Sequence, residues 1–243
     1  MKKGFTLAEV LVTLMVIGIV AVLTIPSILE NIQKTQLVSA YKRMFSETFS
    51  AVTEMVVKED CGKRFLCTGQ FQTDDPLEFG NSLTSVLSTV VNCKKNDMDC
   101  FTQFVNPNYD GSGTSDSIVN QVAALNDGEA ATYYYFKNVR GASYLIHSFG
   151  TDCETNLSTD NTIDNPMRGV CGYMVIDVNG EKSPNAWGRD VFGMWITDYK
   201  VLELYPFGGQ YDNKIPKTTC RAADTNGMGC AGRILEDGWT MQY

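Results

Sequence analysis

The chain has few of the residues on which catalytic and nucleic-acid-binding sites depend. Among its 243 residues there is a single histidine, and 20 lysines and arginines are outnumbered by 28 aspartates and glutamates, giving a net charge of −8. One histidine argues against a histidine-based metal centre and against a catalytic triad. An excess of acid has the wrong sign for neutralising phosphates. No G-x-S-x-G or P-loop sequence occurs, so we expect neither an enzyme nor a direct nucleic-acid binder.

C-x-x-C pairs are also missing, although the chain has eight cysteines. An even number of cysteines without this spacing favours disulfides in an oxidising compartment over a zinc site or a redox-active motif. Eight cysteines allow about a hundred different pairings. The short spacings favour the sequential set Cys61–Cys67, Cys93–Cys100, Cys153–Cys171 and Cys220–Cys230.

The N-terminus contains the one long apolar run. Lys2, Lys3 and Gly4 precede 21 residues, Phe5 to Ile25, in which Glu9 is the only charged side chain. As a helix this run is about 31 Å long, which matches the hydrocarbon thickness of a bilayer. The lysines predict a cytoplasmic N-terminus and an external C-terminal part.

An ordinary secretory signal peptide or a plain signal anchor is the alternative interpretation of this run. No A-x-A cleavage site follows the apolar residues. Glu9 also lies within the run, where a carboxylate costs roughly 2.5–3.5 kcal/mol on insertion scales. A carboxylate in that position needs a partner, which neither alternative provides.

The segment KKGFTLAEVLVTLMVIGI resembles the N-terminus of type IV pilins and of type II secretion pseudopilins. The resemblance is carried by Gly4, Phe5, Thr6, Glu9, Gly18 and Pro26. It implies a leader of residues 1–4 that a prepilin peptidase removes between Gly4 and Phe5, followed by N-methylation of Phe5. It also implies a structural subunit that assembles through its helix, with Glu9 pairing with the Phe5 ammonium of a neighbouring subunit.

The resemblance implies partners and a location as well. The partners are other pilin or pseudopilin subunits, the prepilin peptidase and an inner-membrane assembly platform. The location is a single-pass inner-membrane protein with a periplasmic head, which then enters a pilus or pseudopilus filament. A minor tip pilin acting as an adhesin and a subunit of a DNA-uptake pilus stay open as alternatives.

The remaining sequence predicts an α+β fold in which a long N-terminal helix packs on an antiparallel sheet. We expect the helix to run from Phe5 to Lys58, with a membrane or filament-core part over 5–26, a kink at Pro26 and an amphipathic part over 27–58. The head is expected over 59–243. Apolar residues at three- and four-residue steps define the face of the amphipathic part: Leu37, Tyr41, Met44, Phe45, Thr48, Val52 and Met55.

Within the head, the pattern predicts helices first and strands later. A second helix is expected near Glu78–Asn92, a loop over Asn92–Ser117 and a short helix over Ile118–Leu125. Runs rich in β-branched and aromatic residues predict about four or five strands at Ala131–Phe136, Ser143–Phe149, Tyr173–Val178, Phe192–Thr197 and Val201–Tyr205. His147 lies in one of these runs and is assigned no catalytic role. Tyr133, Tyr134 and Tyr135 are expected to pack in a strand rather than form an aromatic binding surface.

One loop of the head is a candidate metal site. Asn179-Gly180 is a hairpin signal, so Asp177 to Asp190 is expected to link two strands. Four hard oxygen ligands lie close together there: Asp177, Asn179, Asn185 and Asp190. The loop lacks the spacing of an EF-hand. A plain turn, in which these side chains bond their own backbone, is the alternative to calcium.

Overall fold

The computed structural model describes residues 4, 6–62, 64–65, 67–126, 131–160, 164–220 and 226–243. The chain divides into two compact units, Met1–Gln36 and Leu37–Tyr243. The second is called the head unit below. The structure has the predicted α+β class, with a long N-terminal helix, an antiparallel sheet and four disulfides.

A single helix, α1, covers Leu7–Lys58 and ends at the predicted residue. Phe5, the predicted first residue, lies outside the described residues. Pro26 has no N–H to offer the carbonyl four residues earlier, yet the helix is continuous through this position. The proline therefore does not break α1, and a kink there stays a prediction.

The part of α1 within the head unit is amphipathic, as its sequence predicts. Of the predicted face, Phe45 is half-buried and the other six residues are buried, together with Val38, Ala51 and Val56. The Tyr41 ring stacks on Phe192 at a centroid distance of 4.2 Å. Trp239, from the C-terminal tail, lies 5.6 Å from Tyr41. This part of the helix therefore supplies one side of the core.

The sheet has six antiparallel strands in the order β1-β4-β5-β6-β7-β8. The strands are β1 Thr89–Lys95, β4 Tyr134–Asn138, β5 Ser143–Ser148, β6 Val170–Asp177, β7 Val191–Thr197 and β8 Glu203–Pro206. Strands β4 to β8 correspond to the five predicted runs. Every residue of β5, β6 and β7 is buried, so these central strands are covered on both faces.

The predicted second helix is wrong in its C-terminal part. Helix α2 covers Leu77–Val86, and the chain then enters strand β1. Leu87, Val90 and Val91 continue the helical spacing of α2, which is why the sequence pattern extends too far. Thr89, Val90 and Val91 are consecutive β-branched residues, which favour extended backbone, and pairing with β4 provides the missing partner.

The predicted loop over 92–117 is also partly wrong. It begins inside β1 and contains the two-stranded pair of β2 Phe104–Val105 and β3 Asp116–Ser117. The short helix that follows, α3 Ile118–Ala123, confirms its prediction. The last helix, α4, covers Cys230–Glu236. After it, the Tyr243 hydroxyl donates to the carbonyl of Gly188 at 2.6 Å.

The four disulfides join the cysteines in sequential order: Cys61–Cys67, Cys93–Cys100, Cys153–Cys171 and Cys220–Cys230. No free cysteine is found in the described part of the chain. The three consecutive tyrosines, Tyr133 to Tyr135, are all buried. They pack in and beside β4, which is the interpretation that the strand pattern favours.

Candidate functional sites

The first turn of α1 is closed by a reciprocal pair of hydrogen bonds. The backbone N–H and the hydroxyl of Thr6 both donate to Glu9 Oε2 at 2.8 Å. In return, the Glu9 N–H donates to Thr6 Oγ1 at 3.3 Å. This is a capping box, in which a threonine and a glutamate three residues later satisfy each other's backbone donors. Its T-x-x-E signature is a local one and is already present in the sequence.

The apolar helix that follows leaves its large side chains exposed. From Leu7 to Ile32 every large hydrophobic residue is exposed, by 45% to 80% of its surface. The helix is long and apolar enough to cross a membrane, judged by length and composition. Glu9 is the only acid or base between Thr6 and Leu29. Gly4 is described and exposed, whereas Phe5, the predicted site of methylation, lies outside the described residues.

The β6–β7 hairpin brings the four predicted calcium ligands into one loop. Asp177 ends β6 and Asp190 directly precedes β7, and both side chains are fully buried. Asp177 accepts from the Asn179 N–H at 3.2 Å and from the Thr102 hydroxyl at 2.5 Å. Asp190 accepts from the N–H groups of Asn185 and Ala186, at 2.9 and 2.7 Å.

The two asparagines of the loop are less well satisfied than the two aspartates. The Oδ1 atoms of Asn179 and Asn185 are buried without a hydrogen-bond partner among the described residues. The Nδ2 of Asn179 donates to the carbonyl of Ser183 and that of Asn185 to the carbonyl of Glu181, each at 3.4 Å. Asn179 also hydrogen-bonds the carboxylate of Asp190 through its side chain. A buried oxygen without a donor lowers folding stability by about 1–3 kcal/mol. A hydrogen-bond donor or a cation bound at these two oxygens would therefore stabilise the loop.

Burial also acts on the two carboxyl groups. It raises the pKa of Asp177 well above its ordinary value, and the nearby Asp190 charge raises it further. Burial likewise raises the pKa of Asp190, against the backbone hydrogen bonds from Ala186 and Asn185. Two buried acids of like charge are the environment in which a cation, or a proton, is most stabilising.

The donor set of the loop fits calcium better than a transition metal. Calcium takes six to eight oxygens, which include carboxylates, amide oxygens and backbone carbonyls. No group of three or more His, Cys, Asp and Glu side chains suited to a metal occurs in the described parts of the chain. The plain-turn alternative accounts for the hydrogen bonds to Asp177 and Asp190, but it leaves both asparagine oxygens without a partner.

His147 lies away from this loop, on β5, and is almost fully buried. Its Nδ1 is 2.9 Å from the carbonyl oxygen of Thr132. Burial lowers the pKa of the imidazole, although this hydrogen bond raises it in part. Among the described residues, no serine, threonine or cysteine side chain hydrogen-bonds to this imidazole.

An apolar N-terminal helix joined to a disulfide-bonded antiparallel sheet is a pilin-like α+β architecture. Residues 1–25 match the family model described as the prokaryotic N-terminal methylation motif. The chain thus carries the prepilin-type cleavage and methylation signature of type IV pilins and pseudopilins, as the resemblance implied. Comparison with curated proteins found no significant match, and comparison with solved structures likewise found none.

Proposed function

We propose that the chain is a structural subunit of a type IV pilus or a type II secretion pseudopilus. In this proposal a prepilin peptidase cuts between Gly4 and Phe5 and methylates the new amine, and the subunit assembles through α1. The exposed apolar surface of Leu7 to Ile32, with Glu9 as its one acid in the first turn, is the observation that carries the proposal. The role is mechanical, not catalytic.

Glu9 has two competing partners in this mechanism. In the single subunit it accepts hydrogen bonds from Thr6, which suffices while the helix end is near water. In a dry filament core a buried carboxylate is tolerated only when it is paired with a charge. The ammonium that cleavage creates at Phe5 of a neighbouring subunit supplies that charge. Misaligned neighbours would leave two unpaired charges, so the pair also sets the register.

Two variants separate the charge of Glu9 from its capping role. Glu9→Gln keeps an acceptor at the third helical position and removes the charge, whereas Thr6→Val removes the cap and keeps the charge. We expect Glu9→Gln to be processed and inserted but not assembled, and Thr6→Val to assemble. The readouts are peptide mass spectrometry of the N-terminus and subunit yield in sheared fibres and envelope fractions. Normal assembly of Glu9→Gln would contradict the pairing.

The same mass spectrometry addresses the choice of machine. An N-methylated Phe5 terminus abundant in sheared fibres favours a pilus building block. The same terminus confined to the envelope favours a pseudopilin or a rare minor subunit, of which a tip adhesin and a DNA-uptake subunit are two forms. An uncut Met1 terminus would contradict the proposed processing.

We also propose that the β6–β7 loop holds a structural calcium ion. Asp177, Asn179, Asn185 and Asp190 would supply its side-chain oxygens. The ion would offset the repulsion between the two buried carboxylates and give the two asparagine oxygens a partner. The unpartnered amide oxygens are the specific observation that favours this site.

Thermal unfolding of the full-length protein in detergent tests the calcium site. Ligand at a hundredfold its Kd stabilises the folded state by about 2.7 kcal/mol, so calcium is expected to raise the Tm by several degrees and magnesium to do less. Asn185→Gly should abolish the calcium effect, because glycine tolerates the positive φ of 48° there and lacks the amide oxygen. Asn96→Gly, which makes the same change at another positive φ of 56° outside the loop, is the matched control. A wild-type Tm that neither calcium nor a chelator changes would refute the site.

A further inference from the structure

A polar pocket lies in the head unit, next to His147. Its volume is about 290 Å³, close to the lower end of the range of small-molecule pockets. Its polar wall includes Asp74, Asn126 and His147, and its apolar wall includes Leu125, Phe149 and Leu157. No lysine or arginine is among the described residues that line it. The pocket therefore suits a ligand of a few carbon atoms with one polar end.

The hydrogen bond of His147 fixes what this side chain offers to the pocket. A carbonyl oxygen only accepts hydrogen bonds, so Nδ1 must carry the hydrogen that it donates to Thr132. A neutral ring then has its lone pair on Nε2. No described residue donates a hydrogen bond to Nε2. His147 thus presents an acceptor, with aromatic rings around it that include Tyr173 at 5.1 Å and Phe149 at 5.5 Å.

Asn126 offers a second acceptor. Its Nδ2 donates to the hydroxyl oxygens of Tyr133 and Tyr173, at 3.2 and 3.1 Å. Its Oδ1 is buried and has no hydrogen-bond partner among the described residues. An orphaned acceptor of this kind is costly unless a ligand or an ordered water donates to it.

Asp74 adds the charge, and the hydroxyl groups of the wall add little. The carboxylate of Asp74 acts electrostatically on His147. The Ser148 hydroxyl already donates to the carbonyl of Thr73, and the hydroxyls of Thr151 and Thr155 bond each other. The Thr151–Thr155 pair keeps one hydroxyl hydrogen. Beside it, the pocket combines two neutral acceptors with one negative charge, and the complement of these groups is a cation rich in hydrogen-bond donors.

We propose that the pocket beside His147 binds a small organic cation through a protonated primary amine. An alkylammonium carries three N–H donors, enough for His147, Asn126 and Asp74 together. Its short carbon chain would pack against Leu125, Phe149 and Leu157. An anion would face the Asp74 charge, and a neutral alcohol would lack both the charge and two of the donors. The proposal is independent of filament assembly, so failure of either one leaves the other standing.

The single histidine of the chain makes the test direct. Full-length protein labelled with ¹⁵N-histidine, in a non-ionic detergent near neutral pH, gives one imidazole to observe. The probe is n-butylammonium. Its neutral counterpart is n-butanol, which has the same four-carbon chain. We expect a saturable shift of the His147 signals with n-butylammonium at millimolar concentrations and none with n-butanol.

Two neighbouring substitutions provide the control. Asp74→Asn removes the charge that lines the pocket and is expected to weaken n-butylammonium binding at least about fivefold. Asp75→Asn makes the same change one position away, at a residue whose carboxylate accepts from the Leu77 N–H and does not line the pocket. It should change the affinity less than about twofold. Equal shifts with n-butanol, no saturable shift, or equal affinities of the two variants would each overturn the proposal.

Discussion

The Thr102 hydroxyl donates to the buried carboxylate of Asp177 at 2.5 Å, although the two residues are 75 positions apart in the chain. Further contacts join the same two regions. The Asn106 N–H donates to the carbonyl of Asn185, and the Trp187 N–H donates to that of Asn106. The β6–β7 loop therefore also positions the segment that follows Cys100.

We expect Thr102→Val to destabilise the head unit by about 1–3 kcal/mol, because it removes a donor from a buried acceptor while keeping the side-chain volume. Thr102→Ser keeps the hydroxyl, so it should destabilise the head unit clearly less than Thr102→Val does. Denaturant unfolding of the full-length protein measures both. Equal losses for the two variants would mean that packing of the threonine methyl, not the hydrogen bond, is what matters.

The buried acid pair predicts an unusual response to pH. Both Asp177 and Asp190 have folded-state pKa values above those of an unfolded aspartate. Their contribution to stability is therefore complete below the unfolded value, near 3.9, and is lost as the pH rises through the raised folded values. In calcium-free buffer the Tm should decline across that window.

Asp190→Asn should flatten this decline, because it removes one of the two charges. Added calcium should flatten it as well, because an ion bound in the proposed site would hold both carboxyl groups ionised. A Tm of the calcium-free wild type that rises steadily with pH over the same window would contradict the assignment of these two groups.

His147 predicts the opposite dependence. Burial lowers its folded-state pKa below the unfolded value of about 6.5. Its contribution to stability is present above that value and is lost as the pH falls through the folded pKa. An NMR titration of the single imidazole should give a pKa below 6.5. The acid-side loss of Tm should shrink in His147→Gln, which cannot gain the charge.

The four disulfides should contribute unequally to the stability of the folded head. The Cys153–Cys171 bridge closes a span of 18 positions, against 6 for Cys61–Cys67. The chain-entropy estimate gives about 3 kcal/mol for the longer span and about 2.4 for the shorter. Cys153 and Cys171 are also buried. We expect Cys153→Ala with Cys171→Ala to lower the Tm more than the corresponding pair at Cys61 and Cys67.

The sequence predicts most where one physical signal dominates. The face from Leu37 to Met55 follows from helical spacing alone, and the strands β4 to β8 follow from their composition. It fails at β1, where the apolar spacing of α2 continues into residues whose conformation is decided by pairing with β4. Local pattern contains no information about that partner.

The candidate sites show the same division. Asp177 to Asp190 is recognisable because its ligands are close in sequence and flank a hairpin signal. Thr102 is not, because it reaches Asp177 only through the tertiary fold. The pocket beside His147 combines residues from 74 to 157, and no spacing rule connects them. The capping box of Thr6 and Glu9 is different, because its T-x-x-E signature lies within four consecutive residues and needs no tertiary contact.

None of the four bridges interleaves with another, and each closes before the next cysteine pair begins. When the head is exported behind its membrane anchor, as proposed, the two correct partners of each bridge emerge close together, before the thiols of the next pair have followed. Each thiol pair can be oxidised as it appears. An oxidant alone is then expected to form the four correct bridges. The head should depend little on a disulfide isomerase, the enzyme that rearranges mispaired cysteines.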